Sequence, residues 1–326
     1  MKKPSFFLFT FLFTASLFLA TACEDDDGGM VPIDPGTTTV IDVDAALFTD
    51  ANPNTTVTTV ACTLSDGTET QCYQITSSST PTDHEMGPWC PDNISDDADA
   101  GGIWLEGGVA YDVDGVFIEN MATFYNDATW RMYDANGDVF ITETEADCIN
   151  AANPNVGAAY RNFCVECLPS YVTDVSVTFL IPVTPVLQGT AAFFATGPGG
   201  PGSSVPSTRG IALNGVEFSA PAPTGNILAA YTLAPFDDAG GHINVNQGYH
   251  YHAATGVSYS VAQDDGHAPL IGYALDGHGI YANEGDLSDL DACRGHSDDV
   301  RGYHYHVDAA GANNFINCLQ GAYVAN

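Results

Sequence analysis

The chain has 326 residues, with 41 acidic side chains against seven lysines and arginines, for a net charge of −34. Such a charge repels nucleic acid and anionic lipid and concentrates cations, which excludes nucleic acid as a partner. Hydrophobic residues make up 45% of the chain and aromatic residues 11%, enough to bury a substantial core, so a disordered chain is excluded too.

The N-terminus reads as an export signal. Lys2 and Lys3 precede an apolar run from Phe6 to Leu19, too short and wrongly flanked for a stable membrane span. Leu19-Ala20-Thr21-Ala22-Cys23 resembles a bacterial lipobox. Residues 1–22 are then a lipoprotein signal peptide, and Cys23 is the acylated first residue of the mature protein. The lipid bilayer, reached through acylated Cys23, is the one partner this implies. The location is the bacterial cell envelope, at the outer membrane or cell surface. The alternative is ordinary cleavage nearby that leaves Cys23 free. Acidic Glu24 to Asp27 is similar to sorting signals of some surface-exposed lipoproteins.

Residues 23–54 read as an acidic, Thr- and Pro-rich tether without periodicity. From Thr55 the pattern changes to short apolar or alternating runs broken by Asp-Gly, Asn-Gly and Gly-Pro. Thr56 to Leu64, Ile103 to Tyr111, Val116 to Phe124, Thr129 to Tyr133, Val139 to Thr142 and Val172 to Ile181 read as strands. Asp114-Gly115 and Asn136-Gly137 read as hairpin turns. Asp134 to Asp138 has part of a calcium-loop spacing, but its glycine comes one place early, and a plain turn is the better reading. Helix signals are confined to Glu145–Ala152 and Asn226–Thr232. Gly197 to Ser207 is a Gly/Pro/Ser loop. The expected fold is all-β, mostly antiparallel and β-sandwich-like, with few short helices. An N-terminal β-rich region spans 55–171 and a second domain 172–326. A weak echo between Gly108…Val116 and Gly210…Val216 suggests two related halves.

Apart from Cys23 there are eight cysteines, an even number that implies disulfides in an exported protein. Cys62 and Cys72 flank the turn signal Ser65-Asp66-Gly67 and are expected to face each other. Cys293 and Cys318 would staple the C-terminal segment. Cys164 and Cys167 have redox spacing without its helical context, so a structural bridge to Cys90 or Cys148 fits better.

The richest signal is a repeated pentapeptide. Gly248-Tyr249-His250-Tyr251-His252 returns as Gly302-Tyr303-His304-Tyr305-His306, and eight of the nine histidines lie in the last third of the chain. In a strand, residues i and i+2 share a face. His250 and His252 therefore share one face, with Tyr249 and Tyr251 on the other, and the second copy repeats this. If the strands are neighbours, four imidazoles converge, a ligand set that suits zinc, copper, nickel or iron. The competing reading is a histidine–carboxylate network without metal. Asp276, Asp291 and Asp298 are nearby in sequence and would orient the histidines in either case.

These residues resemble the YHYH domain family. The likeness includes His267-Ala268-Pro269-Leu270-Ile271-Gly272-Tyr273-Ala274-Leu275-Asp276-Gly277 and Leu290-Asp291-Ala292-Cys293-Arg294-Gly295-His296. It also takes in Cys318-Leu319-Gln320-Gly321, Ala212 to Val216 before His242, and Pro81-Thr82-Asp83-His84. Where the family runs Asp-Gly-Phe-Pro-Ile-Tyr, this chain has Asp276-Gly277-His278-Gly279-Ile280-Tyr281, which argues against His278 in a shared site. The family carries no settled reaction, so the resemblance implies a site without naming its chemistry.

The leading expectation is an exported metal-binding lipoprotein whose ion is held by His250, His252, His304 and His306. His242, His84 and His296 are in reserve, and His267 and Asp276 stand further out. Copper is preferred to zinc, because copper(II) tops the affinity order and oxidised cysteines leave no thiolate for a structural zinc. The first alternative is a metal-dependent extracellular hydrolase or oxidoreductase. The second is a structural or carbohydrate-binding, adhesive module. No Gly-x-Ser-x-Gly or His-Glu-x-x-His motif is present.

Overall fold

The computed structural model describes residues 39–152, 156–194, 207–285 and 287–325. The expected signal peptide, Cys23 and the first part of the tether lie outside them, as does 197–206 of the Gly/Pro/Ser loop. The tether does not extend to Asn54. Val43 N donates to Val183 O at 2.9 Å, and helix α1 (Ala46–Ala51) buries Phe48 against the ring of Tyr273. The acidic and Thr-rich composition concealed three anchors, Val43, Phe48 and Ala51, all of which join the core.

Strands β1 (Thr56–Thr63) and β2 (Glu69–Ser78) form the expected hairpin. At its turn Thr68 N and Oγ1 both donate to the Asp66 carboxylate at 2.9 Å. The Cys62–Cys72 bridge staples its end. The run from Ile103 is two strands, β3 (Ile103–Glu106) and β4 (Val109–Asp112), turned by Gly107 and Gly108 at positive φ. Val116 to Phe124, expected as a strand, is helix α2 (Gly115–Phe124). Asp114 is its cap rather than a hairpin turn, accepting from Phe117 N at 2.6 Å. Gly115, Ile118 and Met121 are buried at a spacing of three, a helical stripe that the apolar density of the segment hid. Thr129 to Tyr133 and Val139 to Thr142 make only isolated bridges. Asp134 turns its carboxylate onto Asn136 N and Asp138 N, as a plain turn does.

Helix α3 (Glu145–Ala151) starts where expected, capped by Thr144. Strands β5 (Phe163–Cys164), β6 (Ser176–Pro182) and β7 (Leu187–Phe193) follow. Cys90 bridges to Cys164 and Cys148 to Cys167, so Cys164 and Cys167 each reach outward.

The remaining elements carry the histidines. They are β8 (Gly210–Ala212), β9 (Glu217–Phe218), helix α4 (Thr224–Ala229), β10 (Thr232–Leu233), β11 (Gly241–Asn244), β12 (Gly248–Tyr251), β13 (Leu270–Ala274), β14 (Gly279–Tyr281), β15 (Gly295–Asp298), β16 (Gly302–His306) and β17 (Cys318–Gly321). Eight of these strands form one sheet in the order β11-β12-β9-β8-β13-β14-β16-β15. That order is symmetric about its centre. From the middle outward, β8 corresponds to β13, β9 to β14, β12 to β16 and β11 to β15. Both β12/β9 and β16/β14 are parallel pairs in an otherwise antiparallel sheet. The duplication therefore lies within 210–306. Ala212-Leu213-Asn214-Gly215 matches Ala274-Leu275-Asp276-Gly277 in position. The echo expected at Gly108 to Val116 is a hairpin and a helix cap, not a second copy.

The boundary expected at 171–172 does not separate two cores. Strand β2 pairs with β6, β5 pairs with β10, and Leu64 bridges to Val324 across it. One apolar cluster takes residues from both sides, including Trp104, Ile118, Ile211, Phe236 and Tyr305. The described residues fall within a single unit, Ile33–Asn326.

Candidate metal centres

Each Tyr-His-Tyr-His segment is the second strand of a hairpin. In β11–β12, His242 stands directly opposite His250, and in β15–β16, His296 stands opposite His304. Strand alternation puts His250 and His252 beside His242, and His304 and His306 beside His296. The two hairpins are the outermost elements of the sheet, on opposite edges. The four histidines expected to share one ion are thus split. His242, His250 and His252 form a first group, and His267, His296, His304 and His306 a second, with the facing ligand atoms of each group within 4.8 Å of one another. The expectation of one site assumed neighbouring strands. The internal duplication places four strands, β9, β8, β13 and β14, between the hairpins.

The tautomers follow from the outer hydrogen bonds. In the first group His250 Nδ1–H donates to Gly248 O at 3.0 Å, and His252 Nδ1–H to Ala220 O at 2.6 Å. In the second, His304 Nδ1–H donates to Gly302 O at 2.9 Å, and His306 Nδ1–H to Ala282 O at 3.1 Å, the equivalent carbonyls. His267 Nδ1–H donates to Ala268 O at 3.0 Å, and His296 Nδ1–H to the Asp289 carboxylate at 2.9 Å. A neutral imidazole with its proton on Nδ1 leaves a lone pair on Nε2. Those Nε2 atoms face one another. The separations are 3.2 Å for His242/His252, 3.1 Å for His267/His304, 3.0 Å for His296/His304 and 3.2 Å for His296/His306. In the second group, where all four Nδ1 protons are committed, facing lone pairs repel unless something positive lies between them. Nitrogens bound at roughly 2.0–2.1 Å to one tetrahedral ion would sit about 3.3 Å apart, close to what is found here.

Burial sets the protonation in the same direction. It pushes His304 down to about 3 and His306 to about 4, against the stabilising pull of the backbone bonds to Gly302 and Ala282. His250 is lowered by burial, and His242 and His252 are lowered well below their ordinary value by burial and then by neighbouring imidazoles. These five histidines thus favour the neutral form that a metal requires.

The tyrosine face is braced separately, and again twice. Tyr249 Oη donates to the Asp237 carboxylate at 2.8 Å and Tyr303 Oη to Asp291 at 2.9 Å. Asp237 also accepts from Gly241 N, and Asp291 from Gly295 N. Both glycines are needed for close approach: a Cβ on Gly241 or Gly295 would lie 2.4 Å or 2.1 Å from the facing tyrosine. Asn214 Nδ2 donates to Tyr251 Oη at 2.8 Å, while Tyr305 Oη donates to Asp276. Asp276 and Asp291 therefore hold tyrosines and backbone, not histidines, which corrects their expected role. His84 is also displaced. Its ring lies against Tyr249 and Tyr251 and donates from Nδ1 to Asp83, away from both groups. His278 donates from Nδ1 to Tyr303 O at 2.9 Å, again among the tyrosines, and its Nε2 has no hydrogen-bond partner among the described residues.

Three features escaped the sequence reading. His267 is a full member of the second group rather than an outer residue. Asp289 orients His296. The carbonyls of Ala220 and Ala282 hold His252 and His306. Only the position of Ala282, just past the sheet strand that also bears Tyr281, could have suggested its pairing, and no side-chain pattern marks it.

Residues 178–292 match the model of the family described as YHYH protein, and this segment is a YHYH domain. The match contains the whole first group and His267 and ends before β15 and β16, short of the segment whose likeness was expected to extend to Gly321. No curated protein and no solved structure matches the chain.

Proposed function

We propose that this chain is an exported lipoprotein whose YHYH domain and its C-terminal extension hold two transition-metal ions, one at each histidine group. The observation that carries the reading is the second group, where four imidazoles commit their Nδ1 protons outward while their Nε2 atoms meet at 3.0–3.2 Å, and the first group repeats its hairpin with His242 and His252 Nε2 3.2 Å apart. A histidine–carboxylate network would instead turn carboxylates toward those atoms. The nearest, Glu284, stands 3.8 Å from His267 Nε2. The donor set is all imidazole, and all eight cysteines among the described residues are in disulfides, which favours copper(II) ahead of zinc. When bound, such an ion supplies Lewis acidity or, for copper, one-electron redox capacity. The four disulfides and the Leu19–Cys23 sequence support export and acylation at Cys23.

Elemental analysis of the protein expressed with its own signal and purified without chelator tests the metal. Two equivalents of a first-row transition metal per chain are expected, and none would remove the reading. Intact mass of the mature protein tests the anchor. A diacylglycerol-bearing Cys23 is expected, and the Cys23→Ala protein should be released from membranes.

A further inference from the structure

The two centres are copies that differ at one ligand. In the second, His267 supplies the fourth imidazole from five residues before Gly272, the position in β13 that matches Gly210 in β8. Five residues before Gly210 is Val205, and the whole stretch 195–206 contains no histidine, cysteine or carboxylate. The first group has three imidazoles among the described residues. Among the described residues, His242, His250 and His252 form part of the wall of a cavity of about 360 Å³.

The chemistry of that cavity is specific. Trp89, Val165, Ile227 and Pro235 give it apolar walls, and Asn244 and Gln247 supply amides. Among the described residues no aspartate, glutamate, lysine or arginine lines it. The buried carboxylate of Glu217, opposite His250 in the β12/β9 pair, accepts from the Ser219 hydroxyl at 3.3 Å, and that hydroxyl accepts from Gln247 Nε2 at 3.3 Å. The second centre has no counterpart, since Gly279 occupies the equivalent place. Beyond the ion itself the described walls offer an anion no counter-charge, they favour an apolar body, and the net charge of −34 repels anions at a distance. Three protein ligands with an accessible fourth position describe a metal site that binds or transforms a ligand, and four imidazoles describe a closed one.

We infer that the first centre is an open metal site that takes a neutral, largely apolar small molecule bearing one nitrogen or oxygen donor, while the second is a closed four-imidazole centre. This rests on the metal reading above. The test uses cobalt(II) as a coloured probe and 4-phenylimidazole as a neutral apolar ligand, with azide as the anionic comparison. In the wild-type chain loaded with two cobalt ions, 4-phenylimidazole should alter the visible spectrum of one ion and azide should act more weakly. The response should survive His304→Ala/His306→Ala and vanish in His250→Ala/His252→Ala. Ala230→Trp, which narrows a half-buried wall of the cavity and touches no histidine, should weaken 4-phenylimidazole by about tenfold and leave cobalt uptake unchanged. Absence of cobalt at either centre would remove the metal reading and this inference together. Cobalt bound at both centres with no response to 4-phenylimidazole, a response at the second centre, azide binding more tightly, or indifference to Ala230→Trp would overturn this inference alone.

Discussion

His296 stands opposite His304 across the β15–β16 ladder with their Nε2 atoms 3.0 Å apart. The same cross-strand position in the other copy pairs His242 with His250. A hairpin that lays one histidine opposite the first of a His-x-His pair gathers three imidazoles without help from any distant element. The unit of the candidate site is therefore the hairpin and not the pentapeptide, and because the hairpin occurs twice there are two candidate sites. The buried Asp–Tyr–Gly brace behind each one, Asp237–Tyr249–Gly241 and Asp291–Tyr303–Gly295, holds the strands at the spacing that lets the imidazoles meet.

Two independent centres predict additive loss. Replacing His250 and His252 with alanine should remove one equivalent of metal, replacing His304 and His306 should remove the other, and the quadruple variant should hold none. Elemental analysis of the three proteins decides this. Loss of both equivalents from either double variant would return the four residues to a single site.

Much of this was legible in the residues and some was not. The His-x-His alternation gave the shared face of His250 and His252, and the Asp66-Gly67 turn gave the Cys62–Cys72 hairpin, because both depend on local geometry alone. Whether β12 and β16 are neighbours depends on which strands lie between them, a long-range pairing that no local pattern encodes. Val116 to Phe124 misled for a related reason. Its apolar density suits a strand, and only the capping carboxylate of Asp114 and the three-residue spacing of Gly115, Ile118 and Met121 mark the helix. His267 was undervalued because it stands alone in sequence and reaches the second centre from the loop before β13.

Asp276 should prove to be structural. Its fully buried carboxylate accepts from Tyr305 Oη, Gly321 N and His278 N, and its loss leaves those donors unpaired in the core. Asp276→Ala should cost about 3 kcal/mol or more in denaturant unfolding while the first centre keeps its metal. A stable Asp276→Ala protein that had lost an equivalent of metal would make Asp276 a ligand.

The Cys293–Cys318 bridge should matter more to the second centre than to the first. It joins the segment leading into β15 to β17, which pairs with β7, across a separation of 25 residues. Cys293→Ser/Cys318→Ser should lower stability by about 3 kcal/mol. It should also speed metal loss to a chelator at the second centre, followed in the His250→Ala/His252→Ala background. Equal release rates with and without the bridge would show that the hairpin holds its own geometry.

The last prediction concerns protons. Burial holds His304 near 3 and His306 near 4, both below the ordinary histidine value of about 6.5 that they regain on unfolding. A lowered value in the fold means that the unfolded chain binds protons first as pH falls. The contribution of these residues to stability is therefore complete above about pH 6.5 and is lost progressively as pH falls toward 4 and then 3. In the metal-free protein, the ring nitrogen signals of His304 and His306 should stay neutral, with the proton on Nδ1, from pH 7.5 down to about 5. Metal retention in the second centre should accordingly persist through pH 6 and fail only nearer 4, where protons begin to compete for Nε2. Nitrogen-15 chemical shifts of the imidazoles, read alongside metal content over the same range, check both halves. Titration of either ring near 6.5 would mean that the hairpin does not bury them, and the tautomer argument for the site would go with it.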